Sequence, residues 1–302
     1  MLAVFLVVWP VFALLVCGAL MRRFQFPGDG FWLPAEKLTY YFLFPALLVH
    51  SLSQASLSGQ ESFKLMLAVV LLLGIGSLVC YLVQGVVRLN NPAFTSFFQG
   101  STRFNTFVAL AVTSAQLGGA GLALAAVVAA VMIPILNIIC VVVFARHSDQ
   151  RVSLLGVLKT LITNPLILGS MAGIAINLQG GLPHWMLPFF QLLAQMALPL
   201  GLLAVGAALN LSALRRSGQG LIYSMLIKLI AFPLIAWGVA WSLGLSSLAS
   251  ATLIIFATIP TATSAYILAR QLGGDASLMA SIITAQTLAS MLTIPIWLTF
   301  LL

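Results

Sequence analysis

Long apolar stretches separated by short polar connections set the pattern of this chain. Each stretch is near the ~20 residues that a bilayer core demands of a helix. Ten can be counted, at residues 2–20, 34–52, 64–87, 92–117, 120–145, 152–178, 186–209, 221–243, 247–272 and 276–302. The first lacks a positively charged leader and is followed by Arg22 and Arg23, so it reads as a true span rather than a signal peptide. The expected fold class is therefore an all-α polytopic membrane protein, with no length left over for a soluble domain.

Composition leads to the same class. Hydrophobic residues make up 62% of the chain and charged residues 6%, with a mean hydropathy of +1.14. That leaves too little polar surface for a soluble domain of this size. A net charge of +8 would suggest nucleic acid in a soluble protein, but here the charges fall between spans and set topology. With the N terminus outside, the inner connections hold Arg22, Arg23, Arg88, Arg146, Arg151, Arg215, Arg216 and Arg270, while only Lys64 lies close to a span end on the outer side. Both termini are thus expected outside, and no nucleic-acid partner is expected. Cys17, Cys80 and Cys140 each sit within apolar sequence, which suggests neither a disulfide nor a metal site.

Two spans depart from the apolar rule. The fourth carries Gly100, Ser101, Thr102, Arg103, Phe104, Asn105 and Thr106 at its middle. An arginine at the centre of a span costs about 2.5–3.5 kcal/mol on insertion scales, which makes Arg103 a functional candidate. The ninth carries 257–264, again polar, with Pro260 breaking the helical hydrogen bonding. The two stretches are related by an internal match: Gln116-Leu117-Gly118-Gly119 recurs as Gln271-Leu272-Gly273-Gly274, an offset of 155 residues. Pro10 with Pro165, Pro34 with Pro188 and Pro45 with Pro199 keep nearly that offset. Two homologous halves follow, 1–151 and 152–302. Five spans in each make the second half enter the membrane in the opposite sense, giving a 5+5 inverted repeat whose fourth and ninth helices are broken and cross.

Where a helix restarts, unpaired N–H groups and the positive end of its dipole face outward. Two such restarts facing one another at mid-membrane would form an anion site. Arg103 adds a full charge in a planar fork suited to a carboxylate. Asn105, Ser101, Thr106, Thr258, Thr261 and Thr263 can add neutral hydrogen bonds, and Pro260 acts through its backbone. The expected substrate is a small organic anion. The structural alternatives are that Arg103 satisfies carbonyls of its own helix, that Asn105 only caps, and that the hydroxyls bond back to the helix. Asn137, Asn164, Gln195 and Gln286 read as inter-helix contacts, and Gly169 with Gly173 as a close-packing pair.

The five acids, Asp29, Glu36, Glu61, Asp149 and Asp275, fall in loops or at span ends, so no buried carboxylate serves as a proton relay. His50 lies near the outer end of its span, and Lys159 and Lys228 are expected to snorkel toward the inner face. Coupling would run through a cation such as Na+ held by carbonyls, through a proton (H+) carried with the substrate, or not at all. No cofactor or metal is expected. A membrane enzyme is excluded because no nucleophile stands with a base, and no acid pair is buried.

The ten spans, "RFNTFVALA" at 103–111, "ATIPTATSAYILARQLGGD" at 257–275, "FPALLVHSL" at 44–52 and "LPLGLLAVGAAL" at 198–209 resemble the auxin efflux carrier family over essentially the whole chain. That family includes bacterial permeases for malonate and other organic acids and shares a fold with bile acid:sodium symporters. The resemblance implies scaffold and transport subdomains each drawn from both repeats, an elevator-type motion, often a homodimer, and a bacterial inner membrane as the site. It assigns the crossover Asn and Pro to Asn105 and Pro260. One departure is that Ala109 and Ala111 stand where members often carry a Gly and a Pro. Alternatives to a small-anion transporter are a sodium-coupled symporter of a larger amphipathic, bile acid-like anion, and a non-transporting receptor or accessory subunit.

Overall fold

A computed structural model describes residues 2–55, 59–147, 162–215 and 218–301. The expectations for Asp149, Arg151, Lys159 and Arg216, and for the start of the sixth span, lie outside the described residues. Everything described is helix or short connection. Helix α1 (Leu2–Arg23) forms the first span. Helices α2 (Asp29–Leu38) and α3 (Phe44–Ser53) run on through a wider π-type turn at Thr39–Leu43, so the second helix starts five residues ahead of Pro34. Helix α4 is Gly59–Val87 and α5 is Asn91–Thr102, the latter capped by the Asn90 side chain, which accepts from Ala93 N–H at 3.0 Å.

The next helix, α6 (Thr106–His147), carries the second half of the predicted fourth span and the whole of the fifth in one element and folds at Gly118, whose φ of 64° and ψ of −156° are open to glycine. Helix α7 (Pro165–Leu178) starts on Asn164, and α8 is Leu187–Ala207. After a 3-10 turn at Leu211–Arg215, α9 (Gln219–Leu226) and α10 (Phe232–Ser242) are joined by a second π-type turn, Ile227–Ala231. The chain ends in α11 (Ser247–Thr258), α12 (Ala265–Leu272) and α13 (Ala276–Leu301).

Among the described residues, six helical segments are long and apolar enough to cross a membrane: Val4–Arg23, Gly59–Val87, Asn91–His147, Leu187–Ala207, Gln219–Ser242 and Ala276–Phe300. Pro165–Leu178 and Ser247–Thr258 are shorter and also apolar. Large apolar side chains such as Leu82, Trp185 and Trp241 stand exposed, while Phe94, Phe97, Phe98 and Phe256 are buried. In a lipid solvent this outward apolar surface carries no penalty.

The helices pack as two groups. One contains α1, α2, α3, α7 and α8; the other contains α4, α5 and α9 to α13; α6 touches both, and α1 also meets α13. Glycines set the spacing of the first group. A Cβ on Gly18 would collide with the Leu203 carbonyl, and one on Gly206 with the Leu15 carbonyl, so α1 and α8 meet backbone to backbone. On α7, a Cβ at Gly169 would lie 2.7 Å from Pro45 Cα and one at Gly173 would lie 2.9 Å from Leu52 Cβ. The expected close-packing pair is thus seated on α3. Small residues at such faces permit the backbone approach that gives membrane helices their packing energy.

Candidate substrate site

Helix α5 makes its last turn where Arg103 N–H bonds to the Gln99 carbonyl at 2.9 Å, and Arg103 itself is extended, with φ −69° and ψ 162°. Asn105 then organises the restart. Its Oδ1 accepts the N–H groups of Phe107 at 3.1 Å and Val108 at 3.3 Å, which removes two of the unpaired donors at the start of α6. Its main-chain N–H donates to the Pro260 carbonyl at 2.8 Å. On the other segment, α11 ends at Thr258, Ile259 is extended (φ −72°, ψ 139°), and helix resumes at Ala265.

A single amide ties these segments together. Gln286, on α13 and fully buried, accepts from Thr261 N–H at 2.9 Å. Its Nε2 donates to the Gly100 carbonyl at 3.0 Å and to Ser224 Oγ at 3.0 Å. Ser224 in turn lies 3.2 Å from Ser101 Oγ. Gln286 is therefore the inter-helix contact that its sequence context suggested.

The residues facing the junction enclose a cavity of about 70 Å³. Arg103, Phe104 and Thr106 line it from one segment and Ala262 and Ser264 from the other, with Tyr40, Ile133, Leu136, Asn137, Asn164 and Leu166 closing the sides. The starts of α6 and α12 both border this space. Among the described residues, Arg103 Nη1 is buried with no hydrogen-bond partner. Asn105 Nδ2 and both side-chain polar atoms of Gln99 are likewise buried and unpaired. Buried polar groups are normally paired, so the orphan on Arg103, which lines the cavity, marks a place where a ligand, ion or water completes the bonding; Gln99 and Asn105 do not line it.

The other predicted site residues divide. Ser101 and Thr258 are fully buried and bond back to the carbonyls of Phe97 at 2.8 Å and Ile255 at 2.7 Å. Thr261 is buried too, its hydroxyl 3.4 Å from the Gln99 carbonyl. These three do not line the cavity. Thr263 lines a different cavity, of about 310 Å³, with Glu36, Asn210, Tyr266 and Thr284. Pro260 contributes its carbonyl to Asn105.

Tyr40, Asn137, Asn164 and Ser264 are lining residues that sequence reasoning did not place there. Asn137 and Asn164 had a signal, since each is an amide inside an apolar stretch, but were read only as helix contacts. Asn164 does act structurally: its Oδ1 caps α7 through Leu166 N–H at 3.0 Å, and its Nδ2 donates to the Tyr40 hydroxyl at 3.2 Å. Gln195 is exposed rather than buried between helices. Lys228 corrects its expectation as well. It does not snorkel; it is fully buried, Nζ has no hydrogen-bond partner among the described residues, and it sits 4.7 Å from the centre of the Phe232 ring.

A larger cavity of about 530 Å³ opens among the ends of α3, α4 and α11 and the fold of α6, lined by His50, Gln54, Glu61, Gly119 and Ser246. His50 therefore borders a polar recess at the end of its helix.

Apolar helices meeting around a small polar chamber define a multi-pass membrane transport protein. The family model described as "Membrane transport protein" matches residues 8–298, and the chain belongs to this auxin efflux carrier family, whose members are transporters rather than enzymes. Over 95% of this chain and 92% of the relative, it is 27% identical to a protein of Rhizobium meliloti (strain 1021) named "Putative malonate transporter". A second relative, "Uncharacterized transporter" of Methanothermobacter thermautotrophicus, is 22% identical over 95% of each chain.

Proposed function

We propose that this protein is a secondary transporter of a small organic anion, a short-chain carboxylate of the malonate type, bound where the two non-helical segments meet. The observation that carries the reading is the buried, unpaired Nη1 of Arg103 in a chamber whose other polar liners are neutral. A guanidinium nitrogen without an acceptor is costly, and a carboxylate supplies the acceptor it lacks. The starts of α6 and α12 add their positive dipole ends. The name of the Rhizobium meliloti relative supports the same substrate class. A chamber of about 70 Å³ favours a molecule of a few heavy atoms over a bile acid-like anion.

In this reading the fourth and ninth spans are broken helices crossing at mid-membrane, and the chain is a 5+5 inverted repeat. Supporting this, α5 and α11 are each 12 residues long, and Gly118 and Gly273 of the repeated sequence both take positive φ, 64° and 77°. The group of α1, α2, α3, α7 and α8 acts as scaffold, and the group with the crossing segments moves against it as an elevator. Both termini lie outside a bacterial inner membrane, the protein works as a homodimer, and Na+ or H+ couples transport.

The test is thermal stabilisation of the purified protein by a panel of mono- and dicarboxylates, with and without Na+, in wild type and Arg103→Ala. A ligand that binds the folded state raises the melting temperature with concentration. A carboxylate that stabilises wild type and not the variant supports the reading; equal response of the two removes Arg103 from the site.

A further inference from the structure

The charge count of the chamber restricts the ionic form of what it can hold. Among the described lining residues Arg103 alone carries a charge. Tyr40, Thr106, Asn137, Asn164 and Ser264 are neutral, and the remaining liners are apolar. The fully buried Lys228 is packed over Phe232 and does not line the chamber. One guanidinium offsets one carboxylate. A second carboxylate charge in the same chamber would face no second cationic side chain, with only the helix-start dipoles to offset it.

The hydrogen-bonding inventory is compatible with that answer. The Asn164 carboxamide is fully engaged on its oxygen side, by Leu166 and Ile167 N–H at 3.0 and 3.3 Å, and its Nδ2 donates to the Tyr40 hydroxyl. The Tyr40 hydroxyl accepts that bond and keeps its own O–H to donate. Arg103 and Tyr40 are thus donors for one ionised carboxylate. Asn137, Thr106 and Ser264 each carry both a donor and an acceptor, so the far end of the substrate is met by an acceptor when it carries a proton and needs no second cation there.

We infer that the site takes its substrate as a monoanion, so that a dicarboxylate enters it carrying one proton and leaves with it. This rests on the organic-anion reading above. The proton comes from bulk water on one side and is returned on the other, with no protein acid required as a relay. That agrees with the described residues, among which no acid lines the chamber: Glu36 lines the cavity of about 310 Å³ and Glu61, with His50, the cavity of about 530 Å³.

The titratable groups beside Arg103 are the Tyr40 hydroxyl and the Cys140 thiol. The elements packed on α5 also carry Glu61, Lys64, Cys80 and Tyr81 on α4, Arg146 and His147 on α6, Tyr223 on α9, Lys228 in the second π-type turn, and Tyr266 and Arg270 on α12, with the His147 ring 4.8 Å from that of Phe94. A protein group that titrates would act on dicarboxylates and monoamides alike, whereas a dicarboxylate itself takes up a proton in the weakly acidic range. A pH dependence seen there and confined to dicarboxylates belongs to the ligand.

The experiment compares malonate with malonamate, and succinate with succinamate, as ligands of the purified full-length protein between about pH 5 and about pH 7.5. Each monoamide has the shape of the singly protonated acid and a fixed charge. The expected result is that the diacids weaken about tenfold for each pH unit above their second ionisation, while the monoamides change less than about twofold. Diacid affinity that is flat or rises with pH overturns the inference and leaves the organic-anion reading standing. Parallel weakening of diacids and monoamides also overturns it, by assigning the proton to the protein. If none of the four binds at any pH, the organic-anion reading itself falls and the inference with it.

Discussion

The main-chain N–H of Asn105 donates to the carbonyl of Pro260 at 2.8 Å, joining two non-helical segments from opposite halves of the chain. The Asn105 side chain works at the same point, with Oδ1 on Phe107 and Val108 N–H and Nδ2 unpaired. Its oxygen serves the fold, which leaves its nitrogen for a ligand. Asn105→Asp keeps the capping oxygen and replaces a donor with a negative charge. The expected outcome is a melting temperature near wild type with stabilisation by carboxylates abolished. Asn105→Ala loses the cap and should cost about 0.5–2 kcal/mol of stability. An Asn105→Asp protein that still responds to carboxylates would place Asn105 outside the site.

Gln286 makes its contacts in a fully buried position, so its removal strands partners that water cannot reach. Gln286→Leu leaves Thr261 N–H, the Gly100 carbonyl and Ser224 without this partner. Each abandoned buried group costs about 1–3 kcal/mol, so a loss of roughly 3 kcal/mol or more is expected. Gln286→Glu keeps an acceptor for Thr261 and should lose less in a detergent melt. Equal losses from the two variants would mean that packing, not the amide, holds the segments together.

Architecture was legible in the sequence to a greater depth than the site. Hydropathy reports directly on solvent, so the runs that became α1, α4, α8 and α13 needed no tertiary information. The repeated QLGG was legible for a local reason, since a glycine that must take positive φ is hard to replace. Side-chain direction was not legible. Ser101 shares a polar stretch with Arg103 and Thr106, and Thr258 and Thr261 lie in the second polar stretch, yet all three turn inward to backbone carbonyls, because in an apolar surround a hydroxyl takes the nearest acceptor. Tyr40 was invisible for the opposite reason. It lies in an apolar helix far from the polar stretch, and only the packing of α2 and α3 beside α7 brings it to Asn164 and the chamber. Lys228 was misjudged by depth along its helix, when the neighbours that bury it come from α4, α5, α11 and α13.

The contact of α1 with α8 depends on two glycines with no room for a methyl group. Gly206→Ala would push its Cβ into the Leu15 carbonyl, which is main chain and cannot swing aside. Overpacking of this kind costs about 1–3 kcal/mol. The melting temperature should fall while carboxylate affinity stays within about twofold of wild type, because the contact lies within one packing group, away from the chamber. Gly74→Ala, on α4 with nothing within 4 Å of the added Cβ, is the matched control and should leave stability unchanged or slightly raised. A Gly206→Ala protein as stable as the control would show that α1 and α8 separate freely.

Lys228 presents a test of what a buried cation is for. Its amino group has the Phe232 ring at 4.7 Å and, among the described residues, neither a hydrogen-bond partner nor an ion-pair partner. A cation–π contact returns about 2 kcal/mol when desolvated, less than the several kcal/mol that an unpaired buried charge costs. Methionine has a similar length and no polar head group to desolvate. Lys228→Met is therefore expected to raise the melting temperature, by an amount corresponding to about 1–4 kcal/mol. Because Lys228 does not line the chamber, carboxylate affinity should be retained, whereas uptake into proteoliposomes reads whether the moving group needs the lysine. A gain in stability accompanied by lost uptake would identify Lys228 as a residue kept for movement at a cost in stability. A loss of stability in Lys228→Met would contradict the burial argument and point to an acceptor or ion that pairs with the ammonium in the membrane.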